Sequence, residues 1–326
     1  MFPWLFLLEL FLVTYIILAI ILAGVLRLMA EYFKRTGEKK LYRTAQSLKI
    51  IVLIPAVLGP VLWLDATGIE PNWIEVKTVS IRSFSFPPDL KALKIVQISD
   101  LHVEKIGFRE RSLIRLVNHL DPDLILITGD FVNSKAGWRP AFEVLGKLKA
   151  KRGIYTILGN TDYYFAHEKE VIPQFQELGI EVLLYEKRKL DFGGERSFWL
   201  VGVSDKYAAL QIYGQDQYVQ KAFENIPLNE PKILLIHDPN HADSDLIAEY
   251  RPQLILAGDT HGGQVGIKFI RQFSDYAQRS DYMSGYFEIH GIPLYVNRGI
   301  GMKTLNIRFL CRPEITVVRL LHEEDH

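Results

Sequence analysis

The sequence predicts an α/β layered domain preceded by apolar N-terminal segments. Three observations predict it. From about residue 90, short apolar strands alternate with helical stretches. Five of those strands stop at residues of metal-ligating type. Two apolar runs lie within the first 64 residues.

A chain of 326 residues accommodates one large α/β domain plus an appendage. Its 38 basic and 38 acidic residues cancel, so no basic excess points to nucleic acid, and a membrane nuclease is disfavoured. Cys311 is the only cysteine, which excludes a disulfide framework and a cysteine-rich zinc site. There is no internal repeat or low-complexity stretch, and nothing predicts a protein partner.

The run Leu10 to Leu26 has no charge in 17 residues. With "FPWLFLL" ahead of it, interrupted only by Glu9, it is long enough to span a bilayer, as a helix over about residues 4–28. A cleaved signal peptide wants a basic residue before the apolar run, and none precedes Arg27. The second run, Ile50 to Leu64, is short and carries Pro55, Gly59 and Pro60. It reads as a kinked span or as a re-entrant or interfacial segment. Between the runs lie Arg27, Lys34, Arg35, Lys39, Lys40, Arg43 and Lys49, so the positive-inside rule puts this connection in the cytoplasm. A spanning second run would send everything after it outward, and an interfacial one would keep it inside. The expected division is a membrane anchor over 1–69 and a soluble domain over 70–326.

In the soluble part, "LKIVQ" runs into "ISDLH", with Asp100 and His102. "PDLILIT" runs into Gly129-Asp130, and "GIYTIL" into "GNTD", with Asn160 and Asp162. "PKILLI" runs into "HDPNH", with His237, and "PQLILA" into "GDTHGG", with Asp259 and His261. Helices are expected over 109–120 and 167–179. In α/β folds ligands gather at the carboxyl ends of strands, so the five polar clusters point to one face. Singly, each piece has a plainer reading: Asp after a strand often caps a helix, and Gly-Asp often makes a turn. Together, carboxylate, imidazole and amide oxygen suit Mn²⁺, Fe or Zn²⁺, and Mg²⁺ less well.

The order Asp-x-His, Gly-Asp, Gly-Asn, His, Gly-x-x-His-Gly-Gly resembles the calcineurin-like metallophosphoesterases over roughly residues 94 to 320. Asp130 lies thirty residues after Asp100, and Asn160 thirty after Asp130. "THGGQ" and "LYVNRGIG" look like the membrane-associated subgroup that includes bacterial lipid-pathway phosphoesterases of the UDP-2,3-diacylglucosamine diphosphatase type. The resemblance implies a four-layer α/β/β/α sandwich behind the membrane segments, anchored in a bacterial inner or plasma membrane. It implies two divalent metal ions, with Asp130 bridging, Asp100, His102 and His261 on the first, and Asn160 and His237 on the second. Asp130, Asn160, Asp162 and Arg298 form the candidate catalytic set. Asp162 would orient a ligand, and Arg298 would hold a phosphate oxygen or serve as a loop arginine.

Two positions depart from the family pattern. "GNTD" has Thr161 where the family has a histidine assigned as general acid. "GDTH" has Asp259 where a second-metal imidazole is expected. Decay to a metal-stabilised binding module is one reading. The other is a changed task, in which Asp259 coordinates a harder ion, Mn²⁺ first and Mg²⁺ next, and the leaving group needs no proton. A phosphate leaving group, with a pKa near 6, meets that condition, whereas an alkoxide does not. The expected substrate is therefore an amphiphilic diphosphate or phosphodiester such as UDP-2,3-diacylglucosamine, or outside the cell a phospholipid or lipid-carrier phosphate. Weaker candidates are His241, read as solvent-facing, Tyr163, Tyr164 and Phe165 as an apolar lip or core, and 268–287 as a lid, membrane-contacting loop or surface hairpin.

Overall fold

The computed structural model describes residues 3–194, 196–204, 217–267, 280–303 and 305–322. The chain divides into two compact units, Met1–Ile69 and Glu70–His326.

The first unit is a pair of packed helices, α1 (Pro3–Thr36) and α2 (Lys39–Leu64), joined through Gly37 in the left-handed region, with φ 82°. The buried residues are mostly small: Ala19, Ala23 and Ala30 on α1, beside Leu26, and Ala45 and Ala56 on α2. Ile17, Leu18, Ile20, Ile21, Ile51 and Val57 are exposed. Small residues inward and large apolar residues outward suit helices surrounded by lipid, where close backbone approach drives pairing. Both helices are long and apolar enough to cross a membrane. The second apolar run is thus part of a 26-residue helix rather than a short segment. Its basic first half, Lys39 to Lys49, is rich in good helix formers, so the helix starts well before the apolar run. Pro55 and Pro60 lie inside it.

The second unit holds two six-stranded sheets among the described residues. The first sheet has the order β1 (Glu75–Ser83), β12 (Glu314–His322), β2 (Ile95–Ile98), β3 (Leu124–Ile127), β4 (Ile154–Thr156), β5 (Ile180–Val182). The second has the order β10 (Gly285–Ile289), β11 (Ile292–Val296), β9 (Leu254–Ala257), β8 (Lys232–Leu235), β7 (Ser197–Val203), β6 (Tyr185–Asp191). β2 to β5 are parallel, as are β11, β9, β8 and β7. Parallel neighbours need crossovers, and α3 (Phe108–Leu120), α4 (Trp138–Leu145), α5 (Asn160–Phe165) and α6 (Glu168–Glu177) supply them in the first sheet.

Side-chain alternation fixes the layers. Ile95, Leu124 and Leu126 from one sheet meet Leu200, Ile233, Leu235, Leu254 and Leu256 from the other in a core between the sheets. Their alternates Val96, Ile98, Ile125 and Ile127 face outward onto Leu113 and Val117 of α3, Val144 of α4 and Phe175 of α6. On the far side Val201, Leu234, Ile236 and Ile255 pack on Tyr218, Val219 and Phe223 of the helix Gln217–Phe223. The result is a helix–sheet–sheet–helix sandwich. Strands buried on both faces read as unbroken apolar runs, which is why "LILI" and "LILA" show no alternation in sequence.

The parallel strands end at a common rim in each sheet, and polar contacts tie the two rims together. Gln97 donates Nε2–H to the Ala257 carbonyl at 3.0 Å, across the inter-sheet layer. Of the stretch 268–287, residues 268–279 lie outside the described residues, and from Gly285 the chain is strand β10, hairpinned to β11. Tyr163 and Phe165 pack against the outer core and Tyr164 is exposed.

Leu126→Ala removes a side chain with no exposure from the inter-sheet core and lowers stability by about 2–5 kcal/mol. Leu228→Ala, at an exposed site, changes it by less than about 0.5 kcal/mol. Chemical denaturation of the full chain in detergent measures both.

Candidate metal centre

Asp100 and His102 follow β2, Asp130 follows β3, Asn160 and Asp162 open α5 after β4, His237 follows β8, and Asp259 and His261 follow β9. Asp100, His102, Asp130, His237 and His261 are all buried. Asp100, His102, Asp130, Asp259 and His261 also adopt positive φ, between 42° and 64°. Asp and His tolerate this region better than most residues, yet each such residue costs on the order of 1 kcal/mol, a strain that concentrates at functional sites. Five at one rim point to a constraint beyond folding.

Two sets of donor atoms converge. Nε2 of His102 and Nε2 of His261 face each other at 3.1 Å, with Asp100 Oδ1 3.6 Å from His261 and Asp130 Oδ2 3.4 Å from His102. On the other side of Asp130, its Oδ1 lies 3.4 Å from His237 Nε2, which lies 3.4 Å from Asp259 Oδ1. The two oxygens of Asp130 thus face different donor sets. Asn160 stands beside the second set, its Nδ2–H donating to Asp259 Oδ1 at 3.2 Å.

The donors are prepared as metal ligands. His237 Nδ1 lies 2.7 Å from the Thr128 carbonyl, an acceptor only, so Nδ1 carries the hydrogen and Nε2 directs its lone pair at the site. That Nε2 and Asp130 Oδ2 are buried without a hydrogen-bond partner. Groups of this kind within reach of one another, Asp100–His102–His261 and Asp100–Asp130–His237, fit divalent cations. The charges agree. Burial pushes the Asp100 carboxyl up to about 7 and the His102 imidazole down to about 4. Burial also opposes charge on His237, but Asp130 and Asp259 outweigh it and hold its pKa well above the ordinary histidine range. A proton and a dication compete for that lone pair, so loading the site releases protons.

The backbone holds this cluster. Asp162 lies at the site's edge rather than facing its open side. Its carboxylate accepts from the N–H groups of Asp130 and Gly159 at 2.9 Å and of Phe131 at 2.8 Å. It therefore joins the loops after β3 and β4, a positioning role, although burial presses its pKa up to about 8. Thr161 N–H donates to Asp130 Oδ1 at 2.9 Å, and Asp259 N–H to Asp100 Oδ2 at 3.1 Å. Two glycines permit the approach. A Cβ on Gly159 would lie 2.3 Å from Asp130 Oδ1, and one on Gly258 1.9 Å from Ser99 Oγ.

Of the two readings of Arg298, its contacts are those of a loop arginine. Its guanidinium donates to Glu314 and Glu75 at 2.5 Å and so ties β1 and β12 to the loop after β11. Planar bidentate-capable donors suit such a junction. His241 is also not solvent-facing: only 10% of its side chain is exposed.

Two residues escaped the sequence reading. Buried Arg308 donates to the carbonyls of Arg298, Gly299, Gly301 and Cys311, and so shapes the loop whose Ile300 and Gly301 N–H groups bind the Ser99 and Asp100 carbonyls. Its only sequence signal is a charge within an apolar stretch, "NIRFLC". Lys303 enters the site itself. Its Nζ donates to Asn160 Oδ1 at 2.9 Å and lies 3.5 Å from Asp130 Oδ2. Nothing in the sequence marks it. Lys303, with 26% of its side chain exposed, and Asp259, with 18%, border the open side.

The sequence profile of the calcineurin-like phosphoesterases matches residues 93–263. The chain is 31% identical over 276 residues to a "Transmembrane protein with metallophosphoesterase domain" of Bos taurus, covering 82% of this chain and 61% of that one. It is 28% identical to the "Uncharacterized metallophosphoesterase YkuE" of Bacillus subtilis, covering 78% and 88%, and 28% identical to "Phosphodiesterase YaeI" of Escherichia coli, covering 77% and 90%. The chain spans less than two thirds of the length of the vertebrate relatives it matches, 61% and 65%.

Gly258→Ala drives a methyl group into Ser99 and the Asp100 carboxylate. The expected result is a folded chain by circular dichroism whose Mn²⁺ affinity falls by about 10–100-fold in calorimetry. Arg308→Met leaves four carbonyls without their donor, and the expected loss is about 3–5 kcal/mol in chemical denaturation.

Proposed function

Because this chain belongs to the calcineurin-like phosphoesterase family, we propose that it is a membrane-anchored, metal-dependent phosphohydrolase. Its substrate would be a lipid-type phosphodiester or diphosphate. The observation that carries this reading is the convergence of Asp100, His102, Asp130, Asn160, His237, Asp259 and His261 at one rim of the two sheets. Two divalent ions held there, Mn²⁺ the best fit to a site enriched in carboxylate, would acidify water and neutralise charge on phosphoryl oxygens.

The chain's own residues set what the site favours. Asn160, Thr161, Asp259 and Lys303 are partly exposed, and a phosphoryl group would reach the centre past them. Thr161 stands where the family places an acidic imidazole, and a hydroxyl does not give up a proton at neutral pH. A leaving group of low pKa needs none, which supports a diphosphate or activated diester over an alkyl monoester. The similarity to a protein named as a phosphodiesterase supports the same choice.

Anchoring is supported by the two long apolar helices and by relatives named as transmembrane proteins. With both helices crossing and the basic connection in the cytoplasm, the chain after Leu64 would emerge outside. UDP-2,3-diacylglucosamine, a cytoplasmic substrate, then gives way to phospholipid or lipid-carrier phosphates.

The test is hydrolysis by the full chain with Mn²⁺. An activated phosphodiester and a lipid diphosphate should be cleaved, and Asp130→Asn should lower turnover at least about 100-fold. Undiminished activity in that variant would remove the bridging role of Asp130. Metal binding without turnover on any phosphate ester would make the chain a binding module instead.

A further inference from the structure

The two cation positions are not equivalent, and Lys303 is the reason. At the first, the donor atoms of Asp100, His102 and His261 come together, with the imidazole nitrogens 3.1 Å apart, and Lys303 Nζ meets only the shared carboxylate, at Asp130 Oδ2, 3.5 Å away. At the second, three features differ. The amide oxygen of Asn160, the atom that would serve as ligand, already accepts a hydrogen bond from Lys303 Nζ at 2.9 Å. Its amide nitrogen is turned to Asp259 Oδ1 at 3.2 Å, so neither end of the amide is free. The residue at 259 is a carboxylate, and it brings the extra negative charge that an ammonium offsets.

An ammonium has three donors and no lone pair, so Lys303 cannot be a ligand while it is charged. It can only stand in for a cation or repel one. Asp100, Asp130 and Asp259 crowd carboxylates around the two positions, and the Lys303 ammonium offsets part of that charge before any dication binds. The lysine arrives from the loop after β11, on the exposed side of the site, and its long flexible stem allows it to withdraw without disturbing the strand ends.

We propose that Lys303 holds the second cation position itself, so that the chain binds one divalent ion tightly at Asp100, His102, His261 and Asp130. A second ion is admitted only when the ammonium withdraws. This rests on the metal-dependent reading above and narrows its two ions to one resident ion and one conditional ion.

The experiment is metal stoichiometry, read by calorimetric titration with Mn²⁺ and by elemental analysis after dialysis of the full chain in detergent. Wild type should retain about one equivalent, and Lys303→Met about two, with the second binding step tightened about 10–100-fold. Lys303→Arg, which keeps the charge, should behave as wild type. Lys303→Gln serves in place of the methionine variant if that variant fails to fold by circular dichroism. Two equivalents in wild type, with the same affinities in Lys303→Met, would overturn the inference. Stoichiometry is independent of turnover, so the two readings fail separately. A shift from one to two equivalents with no hydrolysis would remove the phosphohydrolase reading and leave this one standing. No retained metal in any variant would remove both.

Discussion

Three amide N–H groups converge on the carboxylate of Asp162, and the geometry of the site depends on that contact. It fixes the loop after β3 against the loop after β4. Asp130 is then presented with one oxygen toward each donor set, and the Thr161 N–H is brought to its side. Hydrogen bonds of this kind are costly to leave unmade in a buried place. A side chain beside the ligands therefore decides where they stand.

The second sheet is joined to this frame by equally specific contacts. His237 reaches across to the Thr128 carbonyl, Gln97 to the Ala257 carbonyl, and Asp259 N–H to Asp100. Each runs between the sheets at their common rim. The apolar layer between the sheets is non-directional. These few polar contacts set the register at which one sheet's ligands meet the other's.

The cluster concentrates negative charge in a buried region, a state that folding alone would not favour. His237 and Lys303 relieve part of it with positive charge. Arg298 and Arg308 act further out, one between two carboxylates and the other among four carbonyls, and so fix the root of the loop bearing Lys303. The same physics that makes the site attractive to divalent ions makes a lysine a competitor for it.

The sequence by itself determined the layered α/β class, and it offered a division near residue 70 and a set of candidate ligand types. Those rest on local signals: unbroken apolar runs for strands buried on both faces, and metal-ligating residues at five strand ends. In the soluble part element ends moved by no more than about three residues, whereas α1 ran on past residue 28 to Thr36 and α2 began well before its apolar run, because hydropathy reports burial or lipid exposure rather than where a helix starts or stops. Only the tertiary structure decided what Arg298, Asp162, Arg308 and Lys303 do. The side-chain partners of Arg298 lie 16 and 223 residues away, and Asn160 lies 143 away from Lys303. A charged side chain's role is set by what the fold brings within 3 Å of it, and no local pattern encodes that.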